Sequence, residues 1–193
     1  MTAQRQDARA RDAPCEAGAV EGVEAIESSL ATVFKLRGFR KRARNWFRTT
    51  SDGQYQVVNL QQSSWGGSDC YVNLGWDPVV PDKGFRPAHE CCLSVRAEQT
   101  DVIPSIPIRR PDGVTTTEVP GISLLNSEMH LGKVAGDLID DVTAVIALPV
   151  ADLMDRTTTM ADLVPFLTSK PWFTTRMVRE YLTPMGYELP TSW

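Results

Sequence analysis

The sequence predicts an α+β fold in which an N-terminal helix precedes an antiparallel sheet of four to five strands, with helices at the C-terminus packed on one sheet face. Three observations carry that prediction. Apolar residues recur with helical period before Gly38, alternate with period two from about 44 to 98, and return to helical period from Leu131. Turn-forming runs at Ser51-Asp52-Gly53 and Trp65-Gly66-Gly67-Ser68 separate the alternating stretches at hairpin spacing. Pro104, Pro107, Pro111 and Pro120 interrupt both periods between sheet and C-terminal helices.

Residues 1–19 have mixed charges and no period, and are expected to be a disordered polar tail ahead of a single domain spanning 20–193. From Val20, the residues Val23, Ile26, Leu30, Val33 and Phe34 form one helical stripe. Glu21, Glu24 and Glu27 lie early and Lys35 and Arg37 late, as the helix dipole favours, and Gly38 stands where a glycine ends a helix. Strands are expected at about 44–50, 54–62, 69–76 and 90–98. Strand alternation puts Val58, Leu60, Cys70, Val72, Leu74, Trp76, Cys91, Leu93, Val95 and Ala97 on the face toward the helices. Tyr55, Val57, Asn59, Gln61, Tyr71, Asn73, Ser94 and Arg96 take the opposite face, expected to be solvated or to hold a ligand. The proline-rich run 101–122 reads as a long surface loop with room for one short edge strand. Leu131, Val134, Leu138, Val142 and Val145 then predict a helix over 131–148. Shorter helices are predicted at 160–168 after a Thr159 N-cap and at 172–183 with Pro171 near its start.

Composition bounds function loosely. With 42% hydrophobic and 23% charged residues in 193, the chain reads as one ordinary globular unit. The first twenty residues lack an apolar segment of the secretory type, and the longest apolar run, 142–150, is broken by Thr143 and Pro149. A cytoplasmic location is therefore expected. Cys15, Cys70, Cys91 and Cys92 match no disulfide or paired CxxC spacing and are expected to be reduced.

Four short segments occur in order at hairpin spacing: Gly38-Phe39-Arg40-Lys41, Asn45-Trp46-Phe47-Arg48, Val57-Val58-Asn59-Leu60-Gln61-Gln62-Ser63 and Val72-Asn73-Leu74-Gly75. Together they resemble the bacterial domain of unknown function 4304 family, whose pattern is a Gly-Phe pair, an aromatic-Arg strand, an Asn-Leu-Gln strand and an Asn-Leu-Gly strand. Cys91 to Arg96 continue it, so the resemblance covers about residues 25–98. It implies the fold, and brings no activity, cofactor or catalytic residue with it.

Charge is the sharpest local feature. Between Ser28 and Ser51 there is no acid, while Lys35, Arg37, Arg40, Lys41, Arg42, Arg44 and Arg48 supply seven bases; without them the net −4 of the chain becomes −11. Such segregation suits contact with a polyanion or an acidic protein surface, and equally a solvated hairpin whose long side chains cover apolar surface. At strand spacing Arg44 and Arg48 flank Trp46, an arrangement for stacking bases or for capping a core edge. Asn59, Gln61 and Asn73 converge on the open face, as ligand contacts or as partners for backbone. Adjacent residues His89, Glu90, Cys91 and Cys92 point to opposite faces, and would need Cys70 or His130 to complete a metal site, so no metal or other cofactor is expected. Asp137 and Asp141 read as solvated helix acids beside Asp140. No nucleophile elbow or phosphate-cradling motif is present, and catalysis is not expected. The leading expectation is a non-catalytic protein-binding module, of the kind that neutralises or regulates a partner protein. Its expected binding residues are Arg44, Trp46, Arg48, Tyr55, Asn59, Gln61, Tyr71, Asn73 and Arg96. The alternatives are nucleic-acid binding through 35–48 and the sheet face, and a small-molecule or hydrolytic site between that face and the 101–122 loop.

Overall fold

The computed structural model describes residues 15–64, 69–109, 116–126, 129 and 135–190. Helix α1, Cys15–Leu36, begins inside the stretch read as a tail, of which residues 1–14 lie outside the described residues. Its stripe Val23, Ile26, Leu30, Val33 and Phe34 is buried. Gly38 ends it at φ +79°: the Gly38 N–H donates to the Lys35 carbonyl, and the Phe39 N–H donates to the Phe34 carbonyl at 3.0 Å. The Phe34 and Phe39 rings meet at 5.2 Å across this closing turn, as a Schellman ending requires.

Five antiparallel strands follow as a meander: β1 (Arg40–Arg42), β2 (Asn45–Thr49), β3 (Tyr55–Gln62), β4 (Cys70–Asp77) and β5 (Leu93–Arg96). β1 is absent from the sequence-based expectation because three consecutive charged residues carry no apolar alternation. It pairs with β2 through the two-residue loop Ala43-Arg44, where Ala43 is held at φ 50°. Ala43→Gly removes that left-handed strain and is expected to raise the unfolding free energy by about 0.5–1 kcal/mol, read from chemical denaturation. The β2–β3 turn closes at Gly53, φ +83°. The Trp65-to-Ser68 turn lies outside the described residues, but the strands on either side of it pair in full register, from Tyr55 with Asp77 to Gln62 with Cys70.

The inner sheet face, Trp46, Val58, Leu60, Cys70, Val72, Leu74, Trp76, Leu93 and Val95, shares one buried core with α1 and the C-terminal helices. Cys91 is the exception to the expected parity. It precedes β5, in a 3-10 turn at Ala88–Glu90 and its following residue, and packs on the outer face with Phe47, Tyr55 and Val57. Alternation cannot be carried back through a turn that is not a strand.

Residues 101–122, expected to be a loop with at most one strand, instead hold two, β6 (Ser105–Arg109) and β7 (Thr116–Pro120), paired as a ribbon. Pro107 and Pro120 are tolerated because both strands of a two-stranded ribbon are edges. Helix α2 (Ala135–Val142) passes through a π turn, Thr143–Ala147, into α3 (Leu148–Arg156). Leu131 and Val134 lie outside the described residues. The helix outlasts the predicted end at 148. Pro149 has no N–H to donate, and the wider turn accommodates its ring. That turn also rotates the apolar stripe: after Val142 the fully buried positions are Ile146, Ala147, Val150, Ala151 and Met154, with Val145 at the margin. Thr159 caps the next segment as expected, exchanging hydrogen bonds with Asp162 ahead of α4 (Val164–Ser169). Pro171 opens only a 3-10 turn, so α5 starts later than expected, at Arg176–Leu182, capped by Thr175.

Candidate binding face

Most of the basic segment is engaged within the chain. Arg37 reaches Asp152 at 2.8 Å and Asp155; Arg48 joins Asp155 at 2.7 Å, and its guanidinium also donates to the Arg37 carbonyl and lies 4.4 Å from the Phe39 ring. Lys41 and Arg44 share Glu27 at 2.6 and 3.1 Å. Burial pushes the Glu27 carboxyl up, but the hydrogen bonds and charges of Lys41 and Arg44 outweigh it and hold the group below its ordinary value. Trp46 is 1% exposed and packs at 5.7 Å from the Phe34 ring, with Lys41 rather than two arginines over it. Its indole is part of the core.

Arg48 also belongs to a polar set that receives the end of α3. Gln56 accepts from Arg48 Nε at 2.8 Å and donates to the carbonyls of Met154 and Thr157 at 2.8 and 2.7 Å. Gln54 donates to the Thr157 carbonyl, and Trp76 Nε1 to Thr157 Oγ1. The last carbonyls of a helix have no partner within it. Here side chains of the sheet's inner face supply them.

The outer face divides in two. At one end Phe47, Tyr55, Val57 and Cys91 form a small second core beneath Phe85 and Ala88, so Tyr55 and Val57 are covered rather than solvated. The residues between β4 and β5 make this cover. Tyr55 Oη donates to the Arg86 carbonyl at 2.8 Å and accepts from the Arg86 N–H at 3.0 Å, and Arg86 pairs with the buried Asp77. Gly75 lets the cover seat: a Cβ there would lie 2.8 Å from Cys91 Sγ and from Val57 Cγ1. Burial pushes the Tyr55 phenol above its ordinary range.

The other end is open. Strand register sets Arg42 opposite Asn45, Asn45 opposite Asn59, Asn59 opposite Asn73, and Asn73 opposite Arg96, a single row across all five strands. The amides are joined: Asn73 Nδ2 donates to Asn59 Oδ1, Asn59 Nδ2 to Asn45 Oδ1, each at 3.0 Å, and Asn45 Nδ2 to the Arg42 carbonyl. Gln61 accepts a second bond from Asn73, and Arg96 lies 4.3 Å from the centroid of the Tyr71 ring. Of the residues expected from sequence, the fold thus gathers Asn59, Gln61, Tyr71, Asn73 and Arg96 on one side of the sheet, Gln61 and Arg96 exposed and the other three half-buried. It places Tyr55 under the cover, Trp46 and Arg48 on the inner side, and Arg44 in the β1–β2 turn. Arg42 and Asn45 complete the row and were missed, because their membership depends on the short β1 hairpin.

His89 is 80% exposed, near only Glu90, while Cys91 and Cys92 enter different cores. Among the described residues no three potential metal ligands converge. Burial raises the thiols of Cys70 and Cys92 from 9.0 to about 11 and that of Cys91 to about 12. At about pH 8 roughly 0.1% of such a thiol is ionised. Site-resolved mass spectrometry is therefore expected to find these three unalkylated by iodoacetamide in the folded protein and alkylated in denaturant. The sign for stability follows: the unfolded chain ionises its thiols first, so stability is expected to fall as pH rises from about 9 through the folded values.

Among the described residues no helix is long and apolar enough to cross a membrane. Residues 30–97 match the family model described as Domain of unknown function (DUF4304), which covers the last two turns of α1 and the whole five-stranded sheet. Neither a curated protein nor a solved structure matches the chain.

Proposed function

We propose, from the match of residues 30–97 to the DUF4304 model of domains of unknown function, that the chain is a non-catalytic protein-binding module whose contact surface is the open half of the outer sheet face. The observation that carries this reading is the ordered row of amides beside the Tyr71–Arg96 stack. Tyr, Asn and Arg are residue types that recognition surfaces favour, and amides already bonded to one another lose little freedom on binding. Apolar side chains are also exposed elsewhere on the molecule: Met177, Tyr181 and Met185 along α5 and the turn after it, and Trp172 at 66% exposure. The role such a module fits is to hold, neutralise or regulate a partner protein.

The nucleic-acid reading loses support on the same geometry. Arg37, Lys41, Arg44 and Arg48 are paired with acids of the chain, and Trp46 and Tyr55 are buried away from any base. Affinity purification from the source cells tests the proposal. A specific protein partner that is lost with Tyr71→Ala or Arg96→Glu, both retaining the wild-type thermal midpoint, supports it. A partner kept by both variants but lost with Trp172→Ala moves the contact to the turn that Pro171 opens; material released by nuclease and by salt favours the nucleic-acid reading instead.

A further inference from the structure

Resting on that reading, we propose that the row from Arg42 to Arg96 binds an acidic, extended segment of the partner, laid across the strands with one carboxylate at each end. Both terminal arginines are already positioned. The Arg42 guanidinium lies 4.8 Å from the Phe85 ring centroid and that of Arg96 lies 4.3 Å from Tyr71, so each is held by its face while its N–H edges stay available. The row itself contains no acid. Among the described residues Arg42 has no carboxylate partner, and Arg96 has only Glu98, at 3.6 Å. These two guanidinium groups therefore differ from Arg37, Arg44 and Arg48, which are held at closer range by Glu27, Asp152 and Asp155.

The spacing between them selects the ligand. Four interstrand steps of about 4.8 Å separate their backbones by roughly 19 Å, and an extended chain rises about 3.3 Å per residue, so the matching carboxylates stand roughly five to seven residues apart. Between the arginines the row presents unmet valences suited to a peptide backbone. Asn73 Nδ2 uses its hydrogens on Asn59 and Gln61 while Oδ1 receives no donor among the described residues, and Asn45 Nδ2 donates only to the Arg42 carbonyl. A duplex or single-stranded nucleic acid would place a phosphate at every nucleotide, over amides that offer it no cation.

The test is an NMR titration of the full chain with an end-blocked heptapeptide carrying Glu at its first and seventh positions and Ser and Gly between. The side-chain amide signals of Asn45, Asn59 and Asn73 are expected to move together. Arg42→Ala and Arg96→Ala are each expected to weaken binding about three- to tenfold, and Arg42→Lys less, since it keeps the charge without the fork. A control peptide with its two Glu residues adjacent is expected to bind several-fold more weakly. Amide signals that stay still at millimolar peptide, equal binding of the two peptides, or tighter binding of an oligothymidylate each overturn the proposal. If the heptapeptide fails while a purified partner still depends on Tyr71 and Arg96, the protein-binding reading stands and the acidic segment alone falls.

Discussion

Gln56→Leu is expected to lower the unfolding free energy by about 3–5 kcal/mol. Gln56 is fully buried, and its one amide serves three partners: the carbonyls of Met154 and Thr157 and the guanidinium of Arg48. Leucine has similar volume, so the change opens no large cavity. What it removes is polar satisfaction: the Met154 and Thr157 carbonyls each lose a buried donor and the Arg48 Nε loses its acceptor, at about 1–3 kcal/mol for each group left unmet. Gln54 also donates to the Thr157 carbonyl, so that oxygen keeps one bond and the total falls short of three full penalties. Chemical denaturation measures the loss. A change under about 1 kcal/mol would mean that the end of α3 is held by packing alone.

Gly75→Ala is expected to destabilise by about 1–3 kcal/mol and, more diagnostically, to make Cys91 reactive. The added methyl would meet Cys91 Sγ and Val57 Cγ1 at 2.8 Å and the Ala88 backbone at 3.0 Å. Val57 is fixed in the centre of the sheet, so the turn that carries Ala88 and Cys91 is the part that lifts. Once lifted it exposes the Cys91 thiol, lowers its pKa from about 12 toward the ordinary value and frees Tyr55 from Arg86. Alkylation of Cys91 should then approach that of an exposed thiol, with Cys70 and Cys92 in the main core unchanged. Labelling of all three together would point to global unfolding instead.

Where local chemistry dominates, the sequence was informative. The α1 stripe, its Gly38 ending, the β2–β3 turn and the Thr159 cap all follow from residues within a few positions of one another. The inner-face parity of β3 and β4 was legible for the same reason, since alternation is a local signal. What escaped depended on partners distant in the chain. Glu27 lies upstream of Lys41 and Arg44, and Asp152 and Asp155 more than a hundred residues beyond Arg37, so a run of seven bases read as an unmatched patch although most of it is matched. The covering of Tyr55 and Val57 was hidden because it comes from residues between two strands, with no period of their own. The candidate row was half legible: Asn59 and Asn73 were visible as outward positions, whereas Arg42 and Asn45 needed a register that only the β1 hairpin fixes.

The seat that the sheet provides for the end of α3 bears on how the chain is made. Synthesis runs from the N-terminus, so β5 is finished about 60 residues before Arg156 emerges. At roughly 5–20 residues per second, a nascent meander waits about 3–12 seconds with Trp76 lacking its Thr157 partner and with Gln54 and Gln56 having nothing to hold. During that interval the five-stranded segment is expected to be open to holding chaperones, its inner face still without α3. A ribosome stalled before residue 156 is expected to display it in a protease-sensitive state.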